Sequence, residues 1–143
     1  MFQRILIAWD GSSVALRAFD VAIDLTRRFE GELVAVSIAH SPAHAETEAD
    51  RSESAEAARR YLESTFAEIR DRAERAGVDA RQEVIEGEDP TEALVGHAHE
   101  HGFDLIVAGH HHERRVGRML LRGVPEGLVE SSRVPILIVT EPD

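Results

Sequence analysis

The chain has no cysteine and no lysine among its 143 residues, few aromatics (5%) and no long apolar run. Without cysteine, disulfides, thiolate metal sites and cysteine nucleophiles are excluded. Without lysine, all 16 basic residues are arginines, set against 27 Asp and Glu for a net charge of −11. So acidic a surface repels nucleic acid and anionic membranes, which argues against both as general partners. Arginine in place of lysine beside excess Asp and Glu fits a salt-rich cytoplasm, where screening makes the self-repulsion tolerable. A GC-rich genome, with its Arg and Ala codons, produces the same pattern. The opening MFQRILIAWDG holds a five-residue apolar run. That run is too short for a signal peptide or a membrane span, and no later run approaches the length needed. These features predict one soluble, cytoplasmic domain over residues 1–143, with 43% hydrophobic residues to build a core.

What is present alternates between two periodicities. Residues 4–9, RILIAW, read as a buried strand, and Asp10-Gly11-Ser12-Ser13 as a turn offering a serine N-cap. Ala15, Ala18, Phe19, Ala22, Leu25, Thr26 and Phe29 recur at helical spacing, with Gly31 placed to end the helix. Glu32–Ala39 is a second strand, and polar His40–Ala49 reads as an exposed loop. From about Ser52 to Ala76 an apolar stripe of Ala55, Ala58, Leu62, Phe66, Ile69, Ala73 and Ala76 predicts a long helix. Gln82–Ile85 is a weaker strand. Asp89, Pro90 and Glu92 then form a capping box for a helix ending near Gly102. Asp104–Ala108 is the fourth strand, Val124–Ser132 the last helix and Val134–Thr140 the fifth strand. Such alternation implies a parallel sheet covered on both faces. Its ligand crevice lies at the carboxyl ends of the strands, where the strand order reverses, so Asp10 and Gly109 are expected to line one pocket.

The most informative stretch is Asp104–Gly123, DLIVAGHHHERRVGRMLLRG. An apolar strand ends at Gly109 and empties into a loop of three histidines and four arginines. Residues 113–122 carry Arg114, Arg115, Arg118 and Arg122 against Glu113, a local charge of +3 while the rest of the chain sums to −14. A strand running into a cationic, glycine-containing loop ahead of a helix suits an anion, usually a phosphate. The alternative is that these arginines pair with surface carboxylates.

Three segments, ILIAWDGSS, GEDPTEALVGHAHEHGFDLIVAG and SSRVPILIV, resemble the universal stress protein family over nearly the whole chain outside His40–Asp50. The resemblance implies a Rossmann-like, doubly wound five-stranded parallel sheet in three α/β/α layers, of the adenine nucleotide alpha hydrolase-like kind. It further implies a homodimer and a role in stress response rather than one fixed reaction. Some members bind ATP or AMP through Gly-x-x-Gly, nine residues, then Gly and Ser or Thr. Laid on this chain, the pattern falls on Gly109, His112, Arg122 and Gly123, so three of its four positions depart. A Cβ in place of glycine obstructs close backbone approach to phosphate, and Gly123 has no hydroxyl to donate. On that ground the loop has diverged from nucleotide binding. Other matches favour binding: Asp10 at the first strand end, Ala8, Trp9 and Ile38 at nucleoside-lining positions, His111 in the loop and Val124 after it. Arg122 could replace a glycine amide by a charge-assisted bond. Two readings therefore stand: a regulatory or interaction module with a protein partner, and an ATP- or AMP-binding sensor using loop arginines.

The remaining chemistry is sparse. His97 and His101 have ligand-compatible helical spacing without a third ligand, so they are expected to stay solvated and complement the helix dipole, with no metal held. His110, His111 and His112 point different ways along a loop and could add positive charge in mild acid. Neither a Gly-x-Ser-x-Gly elbow nor a Walker loop occurs, and no catalytic residues are assigned. Trp9 is expected in the core, with the pocket as its alternative. The apolar fifth strand, VPILIVT, is expected at a sheet edge that pairs with a second copy.

Overall fold

The computed structural model describes residues 1–39, 48–111 and 123–142, the side chains of 48–52 excepted. Within these residues five strands and four helices alternate. They are β1 (Arg4–Ala8), α1 (Ser13–Phe29), β2 (Glu32–Ala39), α2 (Glu48–Arg75), β3 (Ala80–Glu86), α3 (Pro90–Glu100), β4 (Leu105–His110), α4 (Val124–Ser131) and β5 (Ile136–Thr140). The strands form one sheet in the order β3-β2-β1-β4-β5, and every pairing is parallel. This is the three-layer α/β architecture that the alternation of periodicities predicts.

Successive side chains of a strand point to opposite faces, and here both faces are apolar. Ile5, Ile7 and Trp9 join Leu33, Leu105 and Val107 in a core sealed by Phe19 of α1 and Phe66 of α2. Leu6 and Ala8 join Val34, Val36 and Ile106 in a second core sealed by Leu94 of α3 and Leu128 of α4. Leu62, Phe66 and Ala73 of the predicted α2 stripe are buried. On its outer face Arg60–Glu56, Arg59–Glu63 and Arg70–Glu74 form exposed pairs four residues apart.

The strands end unevenly, and that positions the site. β1 pairs with β4 only from Ile5↔Leu105 to Ile7↔Val107, whereas β4 continues beside β5 to His110↔Thr140. β1 stays with β2 to Ala8↔Val36, and the Trp9 amide still donates to Val36 O at 3.0 Å. β1 and β4 therefore part at the reversal of strand order, which opens a crevice between them.

Several boundaries differ from the sequence reading; β3 runs Ala80–Glu86 rather than Gln82–Ile85, and β4 runs Leu105–His110 rather than Asp104–Ala108. α2 begins at Glu48, so Glu48 and Ala49 are helical rather than loop; the run from there is rich in Ala and Glu and free of Gly and Pro. Residues 40–47 lie outside the described residues. β5 starts at Ile136, because Ser132 first turns the chain by accepting from Val134 N at 3.1 Å and donating to Val134 O at 2.7 Å. α1 is ended by Glu30 in the left-handed region (φ 54°), one residue before the expected Gly31. Gly31 is needed for another reason: a Cβ there would stand 2.7 Å from Phe2 O.

Candidate functional site

The crevice is built from four chain segments. After β1, Asp10 is only 2% exposed, and one of its carboxylate oxygens accepts from Ser12 N at 2.9 Å. That bond fixes the turn that lets Ser12 cap α1, its hydroxyl accepting from Ala15 N at 3.2 Å. After β4, Gly109 lies against the first turn of α1. A Cβ at Gly109 would meet Val14 O at 2.9 Å. Its lack of a side chain thus serves the close approach of helix to strand, as well as any approach to a ligand. Across the gap α4 starts at Val124 and Pro125, with Gly123 at its N-cap in the left-handed region (φ 81°) and no side-chain cap among the described residues.

Two histidines at the end of β4 tie these segments together. His110 Nε2 lies 2.9 Å from Glu126 Oε1 in the first turn of α4. His111 Nδ1 lies 3.3 Å from Glu141 Oε1, just beyond β5. The ends of β1 and β4 and the starts of α1 and α4 leave a narrow cleft of about 10 Å³. Of the residues expected to bind a cofactor, Ala8, Asp10, Gly109, His111 and Val124 line it. Gly123 sits at the start of α4, and no other described residue comes within 4 Å of the position a Cβ would take. His112 and Arg122 lie outside the described residues, as do Arg114, Arg115 and Arg118.

Trp9 and Ile38 are not among the cleft-lining residues. Alternation along the extended chain explains Trp9: Ala8 faces the cleft layer, so its neighbour turns into the α1/α2 core. There Trp9 packs against Phe19 with ring centroids 6.0 Å apart and donates from Nε1 to Thr65 Oγ1 at 3.0 Å. Ile38 is packed into the opposite core, 2% exposed. His97 also departs from expectation, for its side chain is only 12% exposed. Its Nε2 lies 2.6 Å from Glu83 Oε2, and its ring stacks on His101 with centroids 4.1 Å apart. Among the described residues no group of three His, Asp or Glu is arranged to hold a metal ion.

A crevice at a strand-order reversal, with a buried carboxylate on one wall and a helix start on the other, is where doubly wound proteins hold ligands. Comparison with known proteins fixes which of them this chain resembles. Residues 1–140 match the universal stress protein family. The chain belongs to that family. A universal stress protein of Methanocaldococcus jannaschii is 28% identical to it over 144 residues, spanning 99% of this chain and 84% of that protein. A crystal structure of a family protein from Burkholderia pseudomallei matches with a TM-score of 0.78 at 29% identity, over 96% of each chain. A universal stress protein in complex with cAMP matches with a TM-score of 0.70 at 27% identity, again over 96% of each chain.

The cleft of this universal stress protein also has walls that sequence reasoning did not pick out: Ser12, Val14, Ala15, Ala108 and Pro125. Each lies within a few residues of one that was picked out, so adjacency was the available signal. Glu126 and Glu141 had none, because their roles arise only from where α4 and the end of β5 come to rest. No helix among the described residues is long and apolar enough to cross a membrane.

Proposed function

We propose that this universal stress protein is a stress-response regulatory module without a fixed reaction, and that its cleft binds an adenine nucleotide, ATP or AMP. The observation that carries this reading is the cleft at the reversal of strand order, walled by Asp10 and by the start of α4. The Asp10 carboxylate is an acceptor suited to nucleoside hydroxyls, and the helix start offers amide donors and a positive dipole end to a phosphate. The relative in complex with cAMP supports the same ligand class. Arg122 and its neighbouring arginines supply charge where the nucleotide-binding pattern has glycine.

The protein acts in the cytoplasm as a homodimer, its two copies joined along β5. Ile136, Leu137 and Ile138 support that arrangement, since they are only half-buried on an outer strand of the sheet. A second reading is favoured by Gly123 standing where nucleotide-binding members carry Ser or Thr: the cleft has been given up and the module acts through a protein partner. Thermal unfolding in molar potassium chloride, with and without ATP or AMP, separates the two. Nucleotide at about a hundredfold excess over its Kd stabilises the folded state by about 2.7 kcal/mol. An unchanged transition at millimolar nucleotide contradicts the first reading and leaves the second.

A further inference from the structure

We propose that Thr65 of α2 is a positioning residue for the cleft: it holds the turn after β1 from behind, so that the Asp10 carboxylate is set in place before a ligand arrives. This rests on the nucleotide-binding reading above and adds to it a residue from an element outside the cleft. Among the described residues, α2 contributes no wall to the cleft. It packs instead on the far side of the same turn.

The hold consists of two hydrogen bonds and a close contact. Trp9 Nε1 donates to Thr65 Oγ1 at 3.0 Å, and the Thr65 hydroxyl donates to Leu62 O at 2.9 Å. An indole nitrogen only donates, so Thr65 must accept from it and spend its one hydrogen on Leu62. The two bonds together fix the rotamer of Thr65, and that rotamer sets its methyl against Gly11. A Cβ on Gly11 would stand 3.1 Å from Thr65 Cγ2 and 3.3 Å from the hydroxyl oxygen of Tyr61, one turn earlier in α2. Gly11 is in the left-handed region (φ 81°) and has no side chain, so its backbone rests directly on the helix.

This turn of α2 is itself pinned to the sheet. Gln82 Nε2 of β3 donates to Leu62 O and to Ser37 Oγ of β2, each at 3.1 Å, and Ser37 is fully buried. The turn after β1 is anchored at its ends by other means. The Trp9 amide donates to Val36 O before it, and Ser12 caps α1 after it. Between those anchors the chain rests on Thr65 and Tyr61. The bond from Ser12 N to Asp10 Oδ1 lies inside the turn, so it fixes the shape of the turn and not its place. Asp10 and Ser12, on either side of Gly11, both line the cleft. Without Thr65 the turn samples other places, and apparent affinity falls by the fraction that stays competent. A turn in place in one molecule out of ten costs about tenfold.

AMP is the probe, titrated by calorimetry in molar potassium chloride into wild type, Thr65→Val, Thr65→Ser and Trp9→Phe. Valine matches threonine in shape but makes neither bond, whereas serine keeps the hydroxyl. Folded Thr65→Val should bind AMP about tenfold more weakly, and Thr65→Ser should recover most of that loss. Trp9→Phe removes the donor instead, should weaken binding in the same direction, and remains informative where Thr65→Val does not fold. A second readout needs no ligand: the Ser12 amide should exchange its hydrogen faster in Thr65→Val, while the amides of β4 exchange as in wild type. Equal AMP affinity in wild type and Thr65→Val, or in Trp9→Phe where it stands in, overturns this inference and leaves nucleotide binding standing. So does a Ser12 amide that exchanges no faster, or a Thr65→Ser variant as weak as Thr65→Val. No AMP binding by folded wild type overturns both.

Discussion

At the scale of single residues, the cleft depends on side chains that are absent as much as on those present. Gly109→Ala places a methyl 2.9 Å from Val14 O, which belongs to backbone and cannot swing aside. The variant should lose about 1–3 kcal/mol in urea unfolding as the first turn of α1 shifts. An unchanged midpoint would mean that the helix start is free to move. Gly109 was legible in the sequence as the first glycine of a phosphate-type loop; the contact that requires it was not, because Val14 is far away along the chain. Trp9 gives the converse case. Its strand-end position suits a pocket equally well, and only the alternation of β1 turns it into the core. As the single tryptophan, at 2% exposure, it should emit as a buried indole in the native protein. Trp9→Phe should cost about 1 kcal/mol through the lost bond to Thr65. Emission typical of exposed indole would contradict that placement. Arg122→Ala should weaken nucleotide binding roughly tenfold or more, the worth of about 1.5–3 kcal/mol for a charged hydrogen bond. Equal affinity would remove Arg122 from the phosphate contacts.

At the scale of elements, caps and periodicity carried most of what could be read. The N-cap of α3 is present as expected: Asp89 accepts from Glu92 N at 3.2 Å, and Pro90 opens the helix. Asp89→Ala should cost about 1 kcal/mol of stability, and a thermal midpoint equal to wild type would show the cap to be idle. The start of α2 was missed because propensity alone, without an apolar stripe, extends it back to Glu48. The start of β5 was missed because an apolar run does not reveal the turn that Ser132 makes within it. β5 also bears the clearest test of assembly. Ile136 and Ile138 are half-buried on an outer strand of the sheet and pack against the α3/α4 core. A charge at either position, Ile136→Asp or Ile138→Asp, should convert a dimer to monomer in size-exclusion chromatography. A dimer that persists in both variants places the interface elsewhere.

At the scale of the whole molecule, a parallel sheet covered on both faces was legible because alternating strands and helices admit few topologies. The location of the cleft followed from the same rule. The lining beyond Asp10, Gly109 and their neighbours was not legible, since it depends on β1 and β4 parting after Ile7↔Val107. Charge also acts at this scale. A net charge of −11 spread over 143 residues repels itself, and salt screens that repulsion within a few ångströms. The thermal midpoint should therefore rise as potassium chloride is raised to molar concentration; a midpoint that falls would favour codon usage as the source of the missing lysine. The central claim, that the cleft of this universal stress protein holds an adenine nucleotide, is tested most directly by calorimetric titration with AMP and ATP in molar potassium chloride. The account predicts saturable binding, one nucleotide per chain, that is lost when Asp10 is replaced by alanine. Flat heats from a folded protein, or binding indifferent to Asp10→Ala, would contradict it.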